Sequence, residues 1–66
     1  MDEREEIEHL CEVSHDAYEH AARRAGWETQ EASRVPWSTV PEPNKQTVRA
    51  SMRAVLADLE RRGRLT

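Results

Sequence analysis

The stretch RVPWSTVPEPNK, Arg34–Lys45, decides how this chain folds. It holds all three prolines and one of the two tryptophans of a 66-residue chain that has no phenylalanine. Proline fixes φ and lacks an N–H, so it interrupts regular structure or sits in the first turn of a helix. The stretch therefore separates two charged, periodic segments. Trp37, between Pro36 and Pro41, reads as a plug for a core too thin to close itself, because large aromatics dominate core energetics.

Upstream, Ile7, Leu10, Cys11, Ser14, Ala17, Tyr18, Ala21 and Ala25 recur at steps of three and four, which predicts an amphipathic helix over about 3–25. Asp2, Glu3, Glu5 and Glu6 fall in its first turns, and Arg23 and Arg24 in its last, as the helix dipole favours. Gly26 is the expected left-handed cap, with Trp27 folding back on Ala22 in a Schellman-type contact. Residues 26–40 show no sustained period and are predicted as a loop, with room for a short helical turn at TQEAS, Thr29–Ser33.

Downstream, Val48, Met52, Val55, Leu56 and Leu59 form a narrower apolar stripe and predict a second helix over about 41–62. It starts either with Pro41 as the first helical residue or with Asn44 as the N-cap, and it stops at Gly63 after Arg61 and Arg62. The expected fold is all-α. Two antiparallel amphipathic helices form one domain over 1–66, joined by a long loop carrying tryptophan and proline. The expected core is Ile7, Leu10, Cys11, Tyr18, Trp27, Trp37, Val48, Met52, Val55, Leu56 and Leu59.

A chain this short buries only about 60% of its unfolded surface and commonly relies on a disulfide, a metal or a partner. The single cysteine, Cys11, excludes an internal disulfide and suits a reducing compartment. MDEREE lacks the basic-then-apolar order of a signal peptide, and no apolar run reaches membrane-spanning length, so a cytoplasmic protein without membrane contact is expected. The net charge of −3 conceals an asymmetry: residues 1–24 carry eight acids and three bases, whereas residues 42–66 carry three acids and six bases. Such polarity suits two helices lying together, or association between copies, better than wholesale nucleic-acid binding.

His9, Cys11, His15 and His20 invite a metal reading, but zinc needs four convergent ligands and His9 and His20 project away from the apolar stripe. No metal, cofactor or catalytic residue is expected. His15, at the edge of the stripe, is placed to meet a loop carbonyl or hydroxyl; as a general base it lacks an orienting acid. Lys45, Arg49 and Arg53 form a basic stripe on the second helix, continued by Arg61, Arg62 and Arg64, and the bland reading is a solvated face pairing with acids across the helix pair. The candidate binding residues are His15, Trp37, Lys45, Arg49 and Arg53. Val13, on the outer face of the first helix, is a candidate contact for a partner.

EEIEHLCEVSHDAY (Glu5–Tyr18), VPWSTVPE (Val35–Glu42) and TVRASMRAVL (Thr47–Leu56) together resemble the ryanodine-receptor repeat found in short bacterial and bacteriophage proteins. The likeness covers about residues 5–60. The chain departs from that pattern at Val40, in place of the usual Leu, at Tyr18, in place of a frequent Asn, and at the additional Pro43. The resemblance implies a small helical interaction or ligand-binding module, and its short free-standing members look like accessory genes of actinobacterial phages. A non-enzymatic protein-interaction module is thus expected, acting on a host protein or on a second copy. The alternative is a binder of a nucleotide-like small ligand or of nucleic acid through the basic face of the second helix.

Overall fold

The computed structural model describes residues 2–63. It is all-helical, with two long helices, two short 3₁₀ turns between them, and no strand among the described residues.

Helix α1 spans Glu3–Ala25. The Asp2 carboxylate accepts the Glu5 N–H at 2.8 Å, satisfying one of the donors that a helix start leaves unpaired. At the other end Gly26 takes φ 76°, where a side chain would be strained. Its N–H reaches the Arg23 carbonyl and the Trp27 N–H reaches the Ala22 carbonyl at 2.9 Å, completing a Schellman cap.

Helix α2 spans Glu42–Arg61 and runs antiparallel to α1, since Arg49 meets Glu8 and Arg53, one turn further on, shares a cleft with Arg4. Neither expected start is observed. Pro41 stays extended (φ −58°, ψ 144°) as the cap residue, Glu42 opens the helix, and Pro43 occupies the first turn, where no N–H is needed. Gly63, at φ 71°, follows the helix end. Arg64 lies outside the described residues.

The loop is a packed third layer. Turns at Glu31–Ser33 and Trp37–Thr39 shorten it, the first falling within the TQEAS stretch. Glu19 of α1 accepts a hydrogen bond from the Thr29 hydroxyl at 2.9 Å, with the Ser33 hydroxyl 3.4 Å from its other oxygen. Arg34 reaches back to the Thr29 carbonyl and closes the turn. These bonds bring Val35, Trp37 and Val40 over the helices.

Ile7, Cys11, Trp37, Val40 and Leu56 form the buried cluster, with Val35, Val48 and Met52 packed against it. Three of these eight residues come from the loop, which explains how so short a chain encloses a core.

Three residues expected in the core lie outside it. Tyr18 is 56% exposed, Trp27 67% and Val55 48%. Leu10 and Leu59 are only half-buried, whereas Ala22 and Val40, not expected in the core, are buried. For Leu10 and Val55 the reason is rotational. Tyr18 instead shares the azimuth of Ile7 and Cys11 and is exposed because neither α2 nor the loop covers that level of α1. On α1 the buried side centres on Ile7, Cys11 and Ala22 and is shouldered by half-buried Glu8, His15 and Glu19, so the apolar stripe faces the interior along one edge only. On α2, Val55 and Leu56 lie about 100° apart, and Leu56 takes the inward position. Trp27 contributes its backbone to the cap and leaves its ring outside.

Candidate functional site

His15, Trp37 and Lys45 converge, although the sequence separates the first from the others by more than a helix length. The loop delivers Trp37, α1 delivers His15, and the first turns of α2 deliver Lys45. The His15 and Trp37 ring centroids are 5.9 Å apart at a 54° tilt. The Lys45 ammonium lies 5.5 Å from the Trp37 ring centroid and donates to the Ser38 carbonyl at 3.2 Å. His15 Nε2 lies 2.7 Å from the Val35 carbonyl oxygen; since a carbonyl only accepts, Nε2 is the donor.

Trp37 is 5% exposed, so its indole is clasped by the chain rather than offered to a ligand. Its Nε1–H is buried without a partner in hydrogen-bonding geometry among the described residues. The indole adds to the lowering of the Glu8 carboxyl, behind the larger effect of Arg49.

Arg49 is the hinge of the electrostatics between the helices. Its Nε and Nη2 donate to the two oxygens of Glu8 at 2.8 and 2.9 Å, and its Nη1 donates to Glu42 at 3.0 Å. Paired N–H donors matched to both carboxylate oxygens are the strongest form of ion pair a side chain makes. Hydrogen bonding from Arg49 holds the Glu8 and Glu42 carboxyls below their ordinary values, against the opposing pull of desolvation, and the Arg49 guanidinium is held above its own. The expected pairing of the basic face with acids across the helix pair is realised at this residue.

Arg53 is set apart from His15, Trp37 and Lys45. It lines a cleft of about 250 Å³ together with Arg4, Ile7, Glu8, Gln46 and Arg49. No ion pair joins Arg4 or Arg53 to an acid among the described residues. No group of three or more His, Cys, Asp or Glu side chains converges among the described residues, and His9 and His20 are exposed. No described helix is long and apolar enough to cross a membrane.

Glu8 and Glu19, which organise the packing, and Arg4, which lines the cleft, are not singled out by the sequence. Glu8 and Arg49 are 41 positions apart, and nothing local marks their pairing. Glu19 carried a weak signal, since the hydroxyls of Thr29 and Ser33 are turn-forming groups that need acceptors.

The exposed surface is distinctive for its aromatic content. Two of the chain's three aromatic residues, Tyr18 and Trp27, stand in solvent with Val13 and Val55. Compared with known proteins, the chain matches no family model, no curated protein and no solved structure.

Proposed function

We propose that this chain is a small non-enzymatic protein-interaction module. The observation that carries the reading is the exposure of Tyr18 and Trp27, 56% and 67%, in a protein with one other aromatic residue. A chain with so small a core gains most by burying its aromatics, and aromatics left outside are the residue types enriched at interfaces and at their energetic centres. The clustered polar groups are turned inward: His15 and Lys45 serve the Trp37 plug, and Arg49 serves Glu8 and Glu42. None of them is arranged as a nucleophile with its base.

The resemblance to the ryanodine-receptor repeat, which rests on the residues quoted above, implies the same kind of role. It extends the proposal to a bacteriophage accessory protein acting in the host cytoplasm on a host protein. The test is affinity capture from host lysate followed by mass spectrometry, run in parallel with Trp27→Ala and Tyr18→Ala. A protein retained by the wild type and lost with either variant, at unchanged helicity, supports the reading. Retention that ignores both substitutions sinks it.

A second reading is favoured by the cleft between Arg4 and Arg53, whose guanidiniums pair with no acid among the described residues and suit an anionic group such as a phosphate. Salt-dependent retention on DNA or on a nucleotide resin, lost in Arg53→Gln, would place this reading first.

A further inference from the structure

The core uses one edge of the α1 stripe and leaves the other edge open. Leu10 is half-buried, Val13 is 53% exposed, and Ala17 and Ala21 are exposed. At about 100° per residue these four lie together, on a flank turned away from Cys11 and Ala22. Glu3 and Glu6 extend the same line toward the N-terminus and Arg24 extends it toward the C-terminus. The steps from Glu3 through Glu6, Leu10, Val13 and Ala17 alternate three and four, the spacing of a helix-pairing seam.

This line is self-complementary when laid end for end on itself. Val13 then lies beside Ser14 of the other copy at the two-fold axis, Leu10 faces Ala17, Glu6 faces Ala21, and Glu3 faces Arg24. Large meets small in both directions, and the alanines allow the helix axes to approach closely. Glu3, Glu6 and Arg24 take part in no ion pair among the described residues, so their charges are available. A parallel arrangement would set Glu3 against Glu3 and Arg24 against Arg24. Charge therefore selects the antiparallel, two-fold pairing. A chain of this size commonly gains stability from a disulfide, a metal or a partner, and its one cysteine, Cys11, is free and buried.

We propose that the outer flank of α1 is an isologous interface with a second copy of this chain, the two α1 helices packing antiparallel around Val13. This rests on the reading of the chain as a protein-interaction module and names one partner. Trp27 remains outside the seam and free for another.

Sedimentation equilibrium of the intact chain from micromolar to millimolar concentration, with circular dichroism as a check on folding, tests it. The wild type is expected to show twice the monomer mass, and Val13→Glu to raise the dissociation constant at least tenfold at unchanged helicity. Glu3→Arg alone weakens the dimer, and adding Arg24→Glu in the same chain restores it, because only the antiparallel register pairs these two positions. A wild type that stays monomeric to millimolar concentration overturns the proposal. So does a dimer indifferent to Val13→Glu, or one dissolved by Trp27→Ala instead. A monomer that still captures a host protein through Trp27 refutes the dimer and leaves the interaction reading standing; a dimer that captures nothing upholds the dimer and removes the host protein as a partner.

Discussion

His15 Nε2 lies 2.7 Å from the Val35 carbonyl while its ring packs 5.9 Å from the Trp37 indole, so one imidazole ties the loop to α1 by two contacts. Removing it as His15→Ala leaves the carbonyl without a partner and uncovers one side of the plug. The expected loss is about 1–2 kcal/mol by urea unfolding. His15→Gln, which keeps a donor, should lose less. Equal stability of all three proteins would mean that the bond adds nothing to the fold.

The two tryptophans should behave oppositely. Trp37 is 5% exposed and Trp27 67%. Trp37→Ala is expected to cost about 3–5 kcal/mol, comparable with the whole stability of a domain this small, and to abolish the thermal transition seen by circular dichroism. Trp27→Ala should stay within about 0.5 kcal/mol of wild type, because the Schellman cap uses its backbone alone. An intact transition in Trp37→Ala would show that the indole is not the plug.

The Glu8–Arg49 pair predicts a pH dependence with a definite sign. Hydrogen bonding from Arg49 lowers the Glu8 carboxyl below its ordinary 4.5. A carboxyl lowered in the folded state adds stability that is fully present above the unfolded value and is lost as pH falls through the folded one. The melting temperature should therefore drop below about pH 4.5, and the drop should be shallower in Glu8→Gln. An identical pH profile for the two proteins would remove Glu8 from the account of acid sensitivity.

Cys11 has no exposed surface, and burial pushes its thiol above the usual 9.0, with the Glu8 charge adding to the effect. Thiolate is the reactive form, so alkylation of the native protein should be limited by unfolding. Labelling followed by mass spectrometry should be complete in urea and slow in buffer, and faster in Trp37→Ala than in wild type. Rapid labelling of the folded protein would contradict the burial.

How far the sequence carried the fold can be judged helix by helix. Both ends of α1 were legible, since Asp2, the flanking charges and Gly26 act within one turn of the positions they control. The start of α2 was not, because four polar or proline positions in a row, Pro41–Asn44, each satisfy some rule for a first turn, and the choice of Glu42 depends on how Pro41 leaves the loop. The candidate site was legible in part: His15, Trp37 and Lys45 were named separately, and the loop brings them to one place. Arg49 stands in a basic stripe suited to a ligand contact, and Glu8 and Glu42 engage it instead.

By itself the sequence determined what is local: two helices of a given length, their polarity, and a tryptophan set between prolines. Spacing and capping are short-range effects that need no partner. Only the tertiary structure decided which edge of each apolar stripe is covered, since periodicity defines a face about 100° wide and not the direction from which a neighbour arrives. Clamped to Glu19 and His15, the loop fills one side of α1 with Val35, Trp37 and Val40, while Tyr18, Trp27 and Val55 stay in solvent.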